Sequence, residues 1–569
     1  VKNKELAHIF NRLADGLELQ GANRFRVLAY RKASRVLDEL TEDVAVLLEK
    51  KSLSSVPGIG KALAEKIKEY LETGKIRKYE EIKKEISGDL LNLLDIQNLG
   101  PKTLRNIHRE LGVKDLNGLK RVIDNGAMAK LPQMGEKKVA NIKKGIAYYE
   151  QSMKRMGLDR AEQTACEIIE YLRKETAAHH LTSAGSLRRC QETIGDIDIL
   201  ATAEKGQSII KIFTKFPKTT SILAAGATKG SIIVQGNIQV DLRIVKPASY
   251  GAALQYFTGS KEHNVKIRNI AKTRGMKLSE YGLFRGRKQT AGKTEKQIYQ
   301  KLGMAYIEPE MREDRGEIEL AQKHRLPRLV KINDIRGDLQ MHSIYSDSQA
   351  SIEELAEAAV ILGYEYILIT DHSVSARYAH GLNTARLHKQ WKEIDRINKR
   401  KKNIHILKGA EVDILADGHL DYPDKILKQL DLVLASIHQG FKKNVTKRIC
   451  TAMENPYVDI LAHPTGRLIS QRAGYDIDLA AVMEKARQTR TWLELNAYPD
   501  RLDLNDINLR RARDKDIKIS IGTDAHSVDG LAWMKFGVAT ARRGWLRKSD
   551  IVNTYSLKVL LDARKRCLS

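Results

Sequence analysis

No stretch of about twenty apolar residues interrupts the 569-residue chain, so a membrane-spanning helix is not expected. The opening, VKNKELAHIFNRLADG, has no apolar core of the kind a secretion signal requires. Cysteine is scarce: Cys166, Cys190, Cys450 and Cys567 lie far apart with no CxxC pair. That excludes a disulfide framework and suits a reducing cytoplasm. Acidic residues are in deficit. Asp plus Glu number 71 against 98 Lys plus Arg, a net charge of +27. Such an excess favours a polyanionic partner. Hydrophobic content of 42% and charged content of 30% exclude a disordered or fibrous chain. The length exceeds what one core serves, so several domains are expected. The composition reads as a soluble, cytoplasmic, multidomain protein with nucleic acid as its leading partner and no membrane association.

What is present changes along the chain. Residues 1–150 show apolar residues at three- and four-residue spacing, the rhythm of helices. Strand-like runs begin near residue 180 with HHLTSAGS, IDILA, SIIVQG and IQVDLRIV. A polar, basic stretch over 311–336 marks a boundary, and beyond it short apolar strands alternate with helices, as in a parallel barrel. The front carries a repeat: VPGIGKALAEKI, IQNLGPKTLRNI and LPQMGEKKVANI each join an apolar residue, a glycine turn and a short basic helix. Gly58, Gly60, Gly100 and Gly135 allow tight turns and close approach to a phosphate, and Lys61 and Lys102 open the helices that follow. The repeat resembles the helix-hairpin-helix element, which implies a grip on the DNA backbone without sequence reading. The third copy is the least regular.

The middle carries sharper chemistry. In TIGDIDIL, Asp196 and Asp198 stand two apart in an expected strand, so both are expected on one face. Asp241 lies mid-strand in QVDLRIV. Like carboxylates on one face repel unless a cation sits between them, and three of them can hold two Mg²⁺ ions. Upstream, AGSLRR places Gly185 and Ser186 at a strand-to-helix turn, a phosphate cradle followed by a guanidinium clamp from Arg188 and Arg189.

These residues together resemble the nucleotidyltransferase fold, and YFTGSKEHN narrows the resemblance to family X DNA polymerases, the DNA polymerase beta-like enzymes. The resemblance implies that Asp196, Asp198 and Asp241 are catalytic Mg²⁺ ligands and that Gly185, Ser186, Gly195 and Arg189 hold the triphosphate of a dNTP. Gly259 would admit the sugar, Tyr256 and Phe257 would line its pocket, and Asn264 and Arg268 would face base and template. The match extends forward: FRVLAYRKASRVL with the first hairpin resembles the small lyase domain of DNA polymerase beta. There Lys66 matches the Schiff-base lysine, with Arg26 and Tyr30 as phosphate-side partners; a plain phosphate contact for Lys66 stays open.

After residue 337 each apolar strand ends in a potential ligand: His342 and Asp347, then His372, Glu411, His438, His463, and finally Asp524 and His526. Ligands at successive strand ends converge on the carboxyl face of a barrel. Imidazole and carboxylate without thiolate suit Mn²⁺, Zn²⁺ or Fe²⁺ in a hydrolytic site. This half resembles the PHP (polymerase and histidinol phosphatase) domain, a distorted (β/α)7 barrel holding up to three ions, here Mn²⁺ or Zn²⁺. Gln340 stands where that family has a further His, and its amide is a poorer ligand than imidazole.

The expected architecture is multidomain α+β and α/β: a helical lyase-like domain (1–85), fingers with helix-hairpin-helix elements (86–150), palm (151–250), thumb (251–318), linker (319–336) and PHP barrel (337–569). The expected function is gap-filling DNA polymerisation in base-excision repair on gapped or nicked DNA, by a nucleoid-associated monomer. A 3′–5′ exonuclease weakened by Gln340 is expected beside it. A nuclease-centred end-processing protein and a DNA-end scaffold with a structural barrel are the competing readings.

Overall fold

The computed structural model describes residues 2–39, 44–49, 53, 56, 58–86, 88–96, 98–132, 134–153 and 155–564. The front is helical, as its spacing demands. In the first helix, Lys2–Gln20, Leu6, Phe10, Leu13 and Leu17 recur every three or four residues and are all buried. They pack on the second, Arg24–Glu39, where the Tyr30 ring lies 5.8 Å from Phe10.

Among the described residues, the three hairpins share a buried anchor followed by a glycine at the helix start. Ile59, Leu99 and Met134 are buried and anchor the turn, while Gly60, Gly100 and Gly135 lie at the starts of the helices Lys61–Thr73, Pro101–Leu111 and Glu136–Met153. Gly60 and Gly100 have φ of −77° and −76°, values any residue adopts. Turn conformation therefore does not require glycine there. A Cβ at Gly60, Gly100 or Gly135 would meet nothing within 4 Å, so what these glycines leave is an open approach to the backbone amides. The left-handed residue comes two positions earlier: Gly58 at φ +107° in the first hairpin and Asn98 at φ +67° in the second.

The palm is a five-stranded sheet in the order His179–Ser183, Ile197–Thr202, Ile238–Val245, Lys229–Val234, Thr219–Ala225. Its second and third strands run parallel, and the rest pair antiparallel. The third strand alternates buried and half-buried residues along its length, with Val240, Leu242 and Ile244 in the core and Asp241 on the other face. The thumb combines the helices Tyr250–Thr258, Lys261–Thr273 and Glu295–Lys301 with a small three-stranded sheet. Its centre is ionic. Arg312, fully buried, donates to Glu295 at 2.6 Å and to the Ile307 carbonyl, and Arg188 from the palm reaches the same Glu295 at 2.6 Å.

The last domain is a parallel barrel of seven strands in sequence order, from Gly337–Met341 to Ile519–Gly522. The seam closes where the Asp524 amide donates to the Gln340 carbonyl and the His342 amide to the Ala525 carbonyl. Asp338 fastens it from below by accepting from the amide and hydroxyl of Thr523. Leu339, Leu368, Leu407, Leu434 and Trp492 fill one buried cluster of the barrel. Among the described residues, no helix is long and apolar enough to cross a membrane.

Candidate functional site

Two sites take shape, one in the palm and one at the barrel mouth. In the palm, Asp198 and Asp241 are direct partners in the register of two neighbouring parallel strands, which puts both carboxylates on one face. Asp196 falls one residue before the strand, in an exposed bend. The expectation that it shares a strand with Asp198 is therefore corrected: Gly195 and Asp196 form the lip of the strand, and the aspartate projects from its edge. Gly185, at φ +61°, turns directly over Asp198, where an added Cβ would lie 2.4 Å from Oδ2.

The electrostatics of this face ask for a cation. Burial raises the Asp198 carboxyl to about 7, with repulsion from Asp196 and Asp241 adding to the rise. Asp241 goes the other way. Burial pushes it up, but hydrogen bonds from Ser231, Lys229 and Gln239 outweigh that and hold it low. Lys229 brings an ammonium to 3.1 Å from Oδ2 and Ser231 a hydroxyl to 2.5 Å from Oδ1. An ammonium standing against this carboxylate, and a buried carboxyl raised by its neighbours, both fit a face built to hold a cation.

A cavity of about 580 Å³ opens beside these carboxylates. Ser186, Arg189, Tyr256, Phe257, Gly259, Asn264 and Arg268 all line it, as the sequence led us to expect. Arg155, Gln191 and Lys261 line it too and were missed; Lys261 stands within YFTGSKEHN but was given no role there. The two adjacent arginines part company. Arg188 turns away to Glu295 and Thr258, so it joins palm to thumb and is not part of a phosphate clamp. Arg189 stays at the cavity, its Nη1 donating to the Thr258 carbonyl at 2.6 Å. The Asn264 amide donates to the Tyr256 carbonyl at 2.6 Å and accepts from Gln255, holding the helix junction of the cavity wall.

In the front domain, Lys66 is half-buried on Lys61–Thr73 and Arg26 is exposed. Tyr30, expected on the phosphate side, is 4% exposed with its ring in the core, so its hydroxyl serves Arg26 and the packing rather than an open surface.

At the barrel mouth the eight expected ligands converge. The ring atoms and carboxylates of His342, Asp347, His372 and His526 lie close enough to share one ion, and those of His372, Glu411 and His438 another. Glu411 is the hub: His463 Nε2 lies 2.8 Å from Oε1 and His438 Nε2 3.3 Å, with His372 Nδ1 3.3 Å and His342 Nε2 3.5 Å from Oε2. Burial would raise this carboxyl, yet His438 and His372 hold it far below the usual range. Against the pull of burial, Glu411 and Asp413 raise His438 to about 10, and Asp347 and Asp524 raise His526 to about 9. Both ring nitrogens of His342, Nδ1 of His372 and Nδ1 of His463 are buried without a hydrogen-bond partner. Orphaned imidazole nitrogens facing carboxylates fit a borderline metal, whose binding releases the protons these pairs now share.

Gln340 sits at the edge of this group. Its side-chain amide faces the Glu494 carboxyl, to which it donates in the orientation that satisfies both groups, and its neighbour Asn496 donates to Asp524 at 3.1 Å. Glu494 is fully enclosed, and burial drives its carboxyl well above the ordinary range. Several supports escaped the sequence reading. Asp413 holds His438 Nδ1 at 2.7 Å; Asp371 accepts from Ser343, Ser346 and Gln390 beneath the His342 loop; Arg501 brings its Nε to 3.5 Å from Asp524. Asp413 follows Glu411 on the same strand, the one signal that pointed to it.

Comparison with known proteins identifies the domains that surround these sites. The family model for the DNA polymerase beta thumb matches residues 253–313, a helix-hairpin-helix domain 1–76, a SAM-like helix-hairpin-helix tandem 90–147, and the PHP domain 338–491. A probable phosphatase of Thermoanaerobacter sp. strain X514 is 28% identical over 248 residues, 40% of this chain and 95% of its own. Rat DNA polymerase lambda is 29% identical over 340 residues, 53% of this chain and 54% of its own. The DNA polymerase/3′-5′ exonuclease PolX of Bacillus subtilis strain 168 is 40% identical over 563 residues, 98% of each chain. With that likeness running through hairpins, palm, thumb and barrel alike, the chain belongs to the family X DNA polymerases that carry a C-terminal PHP domain.

Proposed function

We propose that this protein fills short gaps in DNA during base-excision repair and trims 3′ ends at its barrel. The observation that carries the polymerase half is the paired register of Asp198 and Asp241 beneath the Gly185 turn. Mg²⁺ bound by Asp196, Asp198 and Asp241 would supply the Lewis acid that activates the primer 3′-hydroxyl and steadies the departing pyrophosphate. The chain's own groups do the rest. Ser186 and the Gly185 turn cradle the triphosphate, and Arg189 offsets its charge. Gly259 lets the sugar approach the backbone while Tyr256 and Phe257 exclude a ribose 2′-hydroxyl. Asn264 and Arg268 complete the wall toward base and template.

In the barrel, the His–carboxylate cluster would hold Mn²⁺ or Zn²⁺ and supply an activated water to a phosphodiester. Arg501 beside Asp524 is the cation that meets the scissile phosphate. With Gln340 in place of an imidazole, metal held beside His342 would bind more weakly, so trimming is the lesser activity. Gly60, Gly100 and Gly135 admit DNA phosphates to the helix starts, assisted by Lys61, Lys102 and Arg26. Lys66 is the nucleophile of a 5′-deoxyribose phosphate lyase.

A gapped duplex with a 5′-labelled primer tests this with and without dNTPs, in Mg²⁺ or Mn²⁺. Asp241→Ala abolishes extension while gap binding persists; extension surviving in that variant ends the polymerase assignment. Shortening without dNTPs that disappears in His438→Ala assigns trimming to the barrel, and shortening unaffected by it refutes that assignment. Borohydride trapping of a labelled abasic end, lost in Lys66→Ala, tests the lyase.

A further inference from the structure

Arg543 ends a barrel helix, Met534–Arg543, yet its guanidinium serves the polymerase half. Nη1 donates to the backbone carbonyl of Arg189 at 2.7 Å and to Glu313 Oε1 at 3.0 Å, while Nη2 donates to Asp506 at 2.7 Å. Glu313 Oε1 also receives Arg189 Nε at 3.0 Å and Gln191 Nε2 at 2.5 Å. One thumb carboxylate is thus shared by a barrel guanidinium and a palm guanidinium, with side-chain exposures of 4% for Arg543, 12% for Glu313 and 13% for Arg189. Nε and Nη1 of Arg189 are committed to Glu313 and Thr258, and Nη2 has no hydrogen-bond partner among the described residues at a cavity it shares with Ser186 and Asp198.

A network of this kind has little slack. Two guanidiniums, Arg189 and Arg543, and two carboxylates, Glu313 and Asp506, largely out of water are stable only while every partner is in place. Without Arg543, Glu313 is left to Arg189 and Gln191, and the Arg189 carbonyl loses its donor. The guanidinium then follows the carboxylate, and its free edge leaves the cavity. Other contacts cross between palm and barrel, such as Lys535 with Glu162 and Arg467 with Glu192, but their partners do not line the nucleotide cavity.

We propose that Arg543 of the barrel is a positioning residue for nucleotide incorporation, fixing Arg189 toward the triphosphate through Glu313. The proposal rests on the assignment of Arg189 to the triphosphate. The barrel is then a structural part of the polymerase's dNTP site, independent of any cleavage it performs.

The test uses the full chain on gapped duplex with dNTP titration, alongside equilibrium binding of an α,β-imido dNTP and thermal melting. Arg543→Ala raises the dNTP KM about 10-fold or more, as small displacements of a positioning group do, with a smaller change in kcat. Arg543→Lys recovers part of it, and Lys535→Ala leaves KM unchanged. Glu313→Gln, a substitution outside the barrel, gives a similar rise, and the double variant with Arg543→Ala is no worse than the poorer single one. If Arg189→Ala raises KM but neither Arg543→Ala nor Glu313→Gln does, the relay is refuted and the triphosphate assignment stands. If Arg189→Ala leaves KM unchanged, the assignment fails and the relay with it. A loss in Arg543→Ala confined to kcat and melting temperature reduces Arg543 to a structural ion pair and overturns the proposal.

Discussion

Lys229 places its ammonium 3.1 Å from Asp241 Oδ2, on the strand that pairs antiparallel with that of Asp241. A positive charge at that distance competes with any divalent ion for the carboxylate. Lys229→Met is therefore expected to lower the Mg²⁺ concentration for half-maximal incorporation, by about 3- to 10-fold for a partly exposed pair. A Mg²⁺ titration of gap filling reads this directly, and a shift to higher Mg²⁺ would show that Lys229 supports the metal rather than opposing it.

Gly185 combines a left-handed backbone with contact against Asp198. Gly185→Ala must both strain the turn and displace the carboxylate, and a drop in single-turnover incorporation of about 100-fold is expected. Retention of near-normal rates would mean the turn relaxes without moving Asp198.

Glu295 ties the thumb together, and acid releases it. Burial alone would raise its carboxyl, but Arg312 and Arg188 bring it to about 2 from an ordinary 4.5. The folded value lies below the unfolded one, so the stabilisation is complete above about 4.5 and drains away as pH falls toward 2. Glu295→Gln leaves Arg312 buried without its counter-charge, a destabilisation of about 3–5 kcal/mol. Urea unfolding at neutral pH and at pH values through that window should show the variant weaker and its stability flatter with pH.

Gln340→His restores an imidazole at the barrel mouth, at the cost of the Glu494 contact. Bound manganese measured by elemental analysis after dialysis is expected to rise by up to one ion per chain. Unchanged metal content would mean that Glu494 and Asn496, not residue 340, set the occupancy of that position.

Arg501→Ala separates phosphate from metal. With its nearest carboxylate already among the His ligands, removing the guanidinium should leave bound manganese unchanged while primer shortening falls about 10-fold, as loss of a charge-assisted contact predicts. Loss of the metal together with activity would make Arg501 a scaffold of the site.

Spacing carried far here because strands and ligand positions are local matters. The alternation of QVDLRIV gave Asp241 its face, and strand-end histidines gave the barrel mouth, before any contact was seen. Contacts between distant segments left no such mark. Arg188 and Arg189 are adjacent and identical, yet one crosses to Glu295 and the other stays at the cavity, a division decided by thumb residues far along the chain. Arg543 meets Arg189 across 354 positions, and no periodicity could pair them. Asp371 and Arg501 escaped for a different reason: each supports ligands from beneath or beside, where no motif of ligand types extends. The bend at Asp196 shows the limit of strand reading at element ends, where one residue decides between strand and lip.

The open glycines of the three hairpins carry a consequence for how the protein meets DNA in salt. Lysine and arginine contacts release condensed counterions, so the affinity they contribute collapses as ionic strength rises. An amide N–H at Gly60, Gly100 or Gly135 is uncharged, and a phosphate seated there displaces no extra cation. A chain of net charge +27 would otherwise be held to DNA by a force that rising salt dissolves. Phosphates seated at the hairpins as proposed would add a second, salt-tolerant grip, one that lets the protein stay on the duplex while its charged surface lets go and slides.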